Sequence, residues 1–236
     1  MRMIDFHTHV LPGVDDGSKS VEESIEILNV LESQGVAHVF ATPHFIPATD
    51  SLSDFLTRRD AAYDALSSVY RGGVKIHTGA EISYFPGLTH SSELDRLKLG
   101  GTELLLLEMP MEPWSEYIKS EIIELACSAR AIPVIAHIER YMDYQRPKVL
   151  EQMVESGALM QVNASFFVHL KTRRRAIRLL NEGLFNMIGS DVHGVTYRPS
   201  LIDKAFEIIN KRARAEATAS LMNFCEEELF GARSVQ

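Results

Sequence analysis

Ile4-Asp5-Phe6-His7-Thr8-His9, near the start of the chain, is a short apolar run that ends in two histidines. The pattern recurs at Val39-Phe40-Ala41-Thr42-Pro43-His44, Ile76-His77-Thr78-Gly79-Ala80-Glu81 and Leu104-Leu105-Leu106-Leu107-Glu108. It returns at Val134-Ile135-Ala136-His137 and at Met187-Ile188-Gly189-Ser190-Asp191-Val192-His193. Parallel strands buried on both faces read as short apolar runs, and α/β barrels gather their chemistry at the strands' C-terminal ends. Six strand ends that finish in a metal-ligating residue type predict one site, assembled from the whole chain.

Strand-like runs lie at Met3–His9, Val36–Ala41, Lys75–Glu81, Leu104–Met109, Val134–His137, Leu159–Val162 and Met187–Ser190. Helical patterns separate them. Ser20 and Glu23 have the spacing of a capping box, and Val21, Ile25, Leu28 and Leu31 then form one helix face. Asp54–Val69, Ser115–Ala129, Pro147–Ser156, Thr172–Asn181 and Ser200–Arg212 also read as helices. Alternating strand and helix predicts a parallel sheet with right-handed crossovers. Seven strands nearly close a distorted α/β barrel. An open doubly wound sheet is the runner-up, but it gathers ligands at one switch point rather than from six strands. No linker divides the chain, so residues 1–236 read as a single domain, ending in a helix and polar tail from about 213. The run Glu226-Glu227-Glu228 reads as a solvated helix face.

The net charge of −8 does not favour nucleic acid or an anionic membrane. No apolar run approaches membrane-spanning length, and no secretory signal is legible. Cys127 and Cys225 lack partners at zinc-site or redox spacing, which suits a reducing cytoplasm.

His7 and His9 are two apart in a strand, where period-two alternation places both on one face, with Asp5 one step deeper. Asp5 either orients a ligand histidine or satisfies polar groups of the core. Asp191 and His193 repeat the spacing after the last strand. Glu81, Glu108 and His137 each close a strand of their own. A buried, unpaired carboxylate costs several kcal/mol, a difficulty that coordination removes. Val14-Asp15-Asp16-Gly17 is a turn signal, and Asp16 within it is a candidate ligand. His44 follows Pro43 at a strand end. His38, His77, His90 and His169 lack this placement and read as ordinary histidines. The candidate set is His7, His9, Asp16, His44, Glu81, Glu108, His137, Asp191 and His193. It is too large for one ion and suits two or three divalent metals, with Mn, Fe, Zn and Co all compatible with N/O donors. Arg140, after His137, and Arg198, after His193, fall in loops that rim the site. A guanidinium matches phosphate oxygens bidentately, so the constellation points to phosphate ester hydrolysis.

These motifs resemble the PHP (polymerase and histidinol phosphatase) superfamily. Within it they are most similar to the bacterial metal-dependent protein-tyrosine phosphatases of capsule and exopolysaccharide loci. The carrying segments are Met3–Gly17, Ala41–His44, Gly79–Glu81, Ala136–Tyr141 and Gly189–His193. The resemblance implies a distorted seven-stranded barrel, the nine ligands above, and Arg140 and Arg198 beside the substrate phosphate. It further implies manganese dependence and, as substrate, the phosphotyrosine tail of a bacterial tyrosine autokinase that governs polysaccharide export. His44 or His193 is the candidate proton donor to the leaving oxygen.

Cysteine-dependent tyrosine phosphatases need Arg six positions after Cys. Here Pro133 and Gly231 occupy those positions, so an activated water must replace the thiolate. Rival readings are a histidinol-phosphate phosphatase or other small-molecule phosphomonoesterase, a nuclease of the same superfamily, an amidohydrolase and a noncatalytic kinase adaptor. The acidic balance counts against the nuclease, and glutamates where a bridging lysine is expected count against the amidohydrolase.

Overall fold

The computed structural model describes residues 3–91, 93–128 and 130–230, with side chains as far as 224. Cys225 and the Glu226-Glu227-Glu228 side chains, expected on a solvated face, lie outside the described residues. Among the described residues nine strands occur: β1 (Met3–Thr8), β2 (Val36–Ala41), β3 (His44–Phe45), β4 (Lys75–Thr78), β5 (Glu81–Ser83), β6 (Leu104–Glu108), β7 (Ile132–Ile135), β8 (Leu159–Asn163) and β9 (Met187–Gly189). All paired strands are parallel, in a three-stranded sheet ordered β1-β2-β4 and a six-stranded sheet ordered β3-β5-β6-β7-β8-β9.

The two sheets join at both ends. The N–H of Asp191 donates to the His7 carbonyl at 2.8 Å and that of His9 to the Val192 carbonyl at 3.0 Å, tying β1 to the segment after β9. At the other junction Gly79 donates to the Ala41 carbonyl at 2.9 Å and Glu81 to that of Pro43 at 3.1 Å. The result is a mixed α/β fold built on a curled parallel sheet. An open doubly wound sheet would leave the β1 and β9 edges apart, and these contacts exclude it. The sequence shows seven runs where hydrogen bonding marks nine strands, for local reasons. Pro43 has no N–H to give the ladder between β2 and β3, and Gly79-Ala80 interrupts the run from β4 to β5.

The helices are α1 (Val21–Ser33), α2 (Leu52–Val69), α3 (Glu116–Cys127), α4 (Pro147–Glu155), α5 (Ala164–Val168), α6 (Arg173–Asn181), α7 (Ile202–Arg212) and α8 (Ala215–Phe230). The expected spans hold to within two residues for α2 to α4, α6 and α7, the usual uncertainty of helix ends. Ser20 caps α1, accepting from the Glu23 N–H at 3.3 Å. The return arm of the expected capping box goes elsewhere, because the Glu23 carboxylate accepts from the Lys19 N–H at 2.8 Å. α5 has no counterpart in the sequence reading, since five residues carry too little periodicity.

Alternate strand residues divide between two cores. Leu105, Leu107, Ile135, Val162 and Ile188 pack outward against the helices. Ile4, Phe6, Phe40, Leu104, Leu106, Val134 and Met187 fill the inside of the curl. Phe6 and Phe40 stack there with centroids 5.2 Å apart. This inner plug forms the floor on which the polar side chains at the strand ends rest.

Candidate metal centre

Strict alternation would put Phe6 and His7 on opposite faces of β1. A register shift against β2 between Asp5 and Thr8 lets Phe6 join the inner plug while His7 and His9 reach the site above it. The expectation that Asp5 shares their line is corrected accordingly. Asp5 is fully buried and accepts from backbone N–H groups, those of Ser190 at 2.8 Å and His7 at 3.3 Å. It ties β1 to the end of β9.

Glu81, at the head of β5, lies at the middle of the cluster. Its Oε2 is 3.1 Å from His7 Nε2, 3.3 Å from His9 Nε2 and 3.0 Å from His44 Nδ1. Its Oε1 is 2.8 Å from His137 Nε2. Glu108 approaches from β6, 3.6 Å from His137 Nε2 and 4.0 Å from His44 Nδ1. Asp191 Oδ1 lies 3.4 Å from His9 Nε2 and 3.7 Å from His7 Nε2. At the mouth Asp16, 60% exposed, reaches His193 Nε2 at 3.3 Å and His44 Nε2 at 3.6 Å. All nine side chains singled out in the sequence therefore come together. Three groups have ligand atoms mutually within 4.8 Å: His9, Asp16, His44 and His193; His7, His9 and Asp191; and His44, Glu81 and Glu108.

The donor set fits divalent cations on the structure's own terms. Glu81 Oε2 is buried and has no hydrogen-bond partner, although three imidazole nitrogens surround it. Such an orphaned oxygen is costly unless a cation shares it. The ring tautomers, assigned from their partners, agree. The Nδ1 of His9 is held by Asp15 Oδ2 at 2.7 Å, that of His7 by Gln161 Oε1 at 3.2 Å and that of His193 by the Asp191 carbonyl at 3.0 Å. With Nδ1 as the donor, the neutral rings of His7 and His9 would turn their Nε2 lone pairs toward the cluster when a cation displaces their second proton.

Electrostatics shows a cluster in which charges offset burial. Burial opposes the charge on Glu81, but the positive field of His7, the hydrogen bond from His137 to Oε1 and the nearness of the His44 and His7 rings hold its carboxyl well below the usual range. Asp191 is likewise held low against burial by His7 and His9. His9 is raised well above its usual range, because Asp15, Asp191 and Glu81 together outweigh burial. His193 moves the other way: burial and the neighbouring His9 charge push it down to about 4.

Arg140 and Arg198 converge on the outer oxygen of Asp191. Arg140 Nη2 lies 2.6 Å from Asp191 Oδ2, and Arg198 Nη2 meets the same atom. Arg198 Nη1 also lies 2.8 Å from His193 Nε2. Among the described residues the non-glycine residues with positive φ are His137 (32°), Asp191 (55°) and Arg198 (48°), all in this site. Such backbone persists where surrounding contacts over-determine it. Gly189 permits the close approach beneath: a Cβ there would sit 2.5 Å from His7 Cβ and 2.7 Å from Gln161 Nε2.

Several residues at the site went unread in the sequence. Asp15, neighbour of the chosen Asp16, holds His9 and also accepts from the His44 N–H at 2.9 Å. Asn163 donates to Asp191 Oδ2 at 2.9 Å. The buried Tyr141 hydroxyl lies 3.2 Å from His137 Nδ1 and accepts from the Met109 N–H at 2.9 Å. The Asp-Asp-Gly turn was the available signal for Asp15; uncharged amides in a strand gave none for Gln161 and Asn163. His38 and His77 pair with each other at 2.9 Å, outside this cluster.

The family model for capsular polysaccharide synthesis proteins CpsB/CapC matches residues 3–229. The chain belongs to the CpsB/CapC family. Among CpsB/CapC relatives, the tyrosine-protein phosphatase CpsB of Streptococcus agalactiae serotype V is 30% identical over 227 residues, covering 88% of this chain and 89% of that one. The tyrosine-protein phosphatase YwqE of Bacillus subtilis is 27% identical over 221 residues, covering 91% and 86%. The fold superposes with a TM-score of 0.82 on a solved structure described under YwqE from Bacillus subtilis and CpsB from Streptococcus pneumoniae, unique metal-dependent tyrosine phosphatases. That match has 26% identity and covers 96% of this chain and 94% of the other. A histidinol phosphate phosphatase from Lactococcus lactis shares the fold alone, at a TM-score of 0.56 and 13% identity, covering 89% and 94%.

Proposed function

We propose that this CpsB/CapC chain is a metal-dependent protein-tyrosine phosphatase. It holds two or three divalent ions, manganese in preference to iron, zinc or cobalt. The observation that carries the reading is the convergence of two guanidiniums on Asp191 Oδ2 while Asp191 Oδ1 faces the histidine cluster. The nine clustered side chains are the proposed ligands, in a single domain whose broken strands β2/β3 and β4/β5 count as two of seven in a distorted barrel.

Metals held by such N/O donors make water a nucleophile near neutral pH and polarise phosphoryl oxygens. Arg140 and Arg198 hold the equatorial oxygens of the phosphoryl group, where charge develops. His193 Nε2 faces the Arg198 guanidinium, whose positive charge disfavours a protonated ring there. That leaves His44, partly exposed at the mouth, to give a proton to the leaving oxygen from a ring nitrogen that no metal holds. A tyrosinate, with a pKa of about 10, needs little such help.

A macromolecular substrate is supported by the rim. Ile46, Met111, Tyr144, Leu170, Val195 and Tyr197 are exposed large apolar side chains, all on segments that follow strand C-terminal ends. Side chains on the loops after the strands are placed to touch a polypeptide docked over the site. The proposed substrate is the phosphotyrosine tail of a tyrosine autokinase, in the cytoplasm, with control of capsular or exopolysaccharide synthesis as the outcome. Among the described residues no helix is long and apolar enough to cross a membrane. Phosphate release from a phosphotyrosine peptide, measured beside histidinol phosphate with added manganese, tests the reading. Preference for the peptide supports it; preference for histidinol phosphate overturns it.

A further inference from the structure

A cavity of about 620 Å3 opens directly beside the cluster, and Asp16 and His44 belong to both. Its size falls within the range of small-molecule sites, about 300–1,000 Å3. Away from the cluster its wall is Val14, Ile46 and Thr49, and its far end is Asp50 with Arg58. That end is neutral on balance, because Arg58 Nη1 donates to Asp50 Oδ1 at 3.1 Å and Nη2 meets the other carboxylate oxygen. Asp15, which also borders the space, commits its carboxylate to His9 and to the N–H groups of Gly17 and His44. The cavity therefore offers an apolar wall at Val14 and Ile46, its far-end charges paired with each other and its remaining carboxylate, Asp16, facing His44 and His193 at the cluster.

We propose that this cavity is the leaving-group subsite. It receives the aromatic ring of phosphotyrosine against Val14 and Ile46 while the phosphate occupies the cluster and the two arginines. The assignment rests on the phosphatase reading above and deepens it by naming the residues that select an aryl ester. The walls suit an uncharged ring. An ester whose leaving group carries an ammonium would find no unpaired carboxylate among Asp15 and Asp50 to receive it.

Ile46 is 43% exposed, so its replacement leaves the core intact. The test is calorimetric binding of a phosphonomethylphenylalanine peptide, a non-hydrolysable analogue of phosphotyrosine, to manganese-loaded protein, with inorganic phosphate as the comparison probe. Ile46→Ala should weaken the peptide about tenfold and Ile46→Asp further, as expected when a pocket is stripped of part of its apolar wall. Phosphate affinity should stay within about twofold, since the phosphate sits at the cluster, and Val69→Ala, at the C-terminal end of α2, should leave the ratio of the two affinities unchanged. Ile46 variants that bind the peptide as tightly as wild type, or that lose phosphate in parallel, overturn the subsite. A selective loss in Val69→Ala would show that the effect is not local to this cavity and overturns it too. Wild-type protein that neither binds the analogue nor hydrolyses a phosphotyrosine peptide overturns the phosphatase reading itself, an outcome distinct from the first two.

Discussion

The side-chain oxygen of Gln161 accepts the backbone N–H of His137 at 2.7 Å. The same oxygen lies 3.2 Å from His7 Nδ1, so one amide on β8 holds the ring of His7 and the main chain of His137, from distant strands. Its nitrogen donates to Asn163, which donates in turn to Asp191. Outer partners of this kind set ring orientation and typically account for about 10–100-fold in metal affinity. Gln161→Leu should weaken manganese binding by that order while the protein stays folded. Calorimetric titration of both proteins checks it, and equal affinities would leave Gln161 without a role at the centre.

The guanidiniums of Arg140 and Arg198 meet Asp191, and that of Arg198 also meets His193. Arg140→Ala should lower turnover of a phosphotyrosine peptide by about 10²–10³-fold, the usual effect of losing one preorganised donor. Metal content, measured by elemental analysis, should not change. Arg140→Lys should recover only part of the rate, because an ammonium lacks the planar fork. Full activity in Arg140→Ala would defeat the assigned role.

Burial raises the carboxyl of Asp5 to about 6, against the opposing hydrogen bonds from Ser190 and His7. An unfolded Asp titrates near 3.9. The folded state thus binds the extra proton, and stability falls as pH rises. The contribution is complete below about pH 4 and lost as pH passes 6, on the order of 3 kcal/mol. In chelator-treated protein, the melting difference between Asp5→Asn and wild type should shift in favour of the variant from pH 4 to pH 7. A difference that stays flat over that interval would contradict the buried, proton-holding Asp5.

The strand ends were legible because a histidine or carboxylate that closes an apolar run needs a partner, and that requirement is visible without coordinates. His7, Glu81, Glu108, His137 and Asp191 come together for this reason. The partners that orient them were not legible. Gln161 and Asn163 carry no charge and sit in an ordinary strand pattern, while Asp15 and Asp16 differ only in which way a turn aims them. The β1 register shift was equally hidden, since alternation in a sequence cannot show where a strand slips. The broken strands at Pro43 and Gly79 read as continuous runs because their apolar pattern continues across the break.

Metal held by the convergent strand-end side chains is the central claim. Its most direct test is hydrolysis of a phosphotyrosine peptide by protein stripped with a chelator and then titrated with manganese, with bound metal counted at each step. Stripping should abolish turnover, and turnover should return as two or three ions bind per chain. Turnover that survives in metal-free protein, or folded protein that takes up no divalent ion, would contradict the claim.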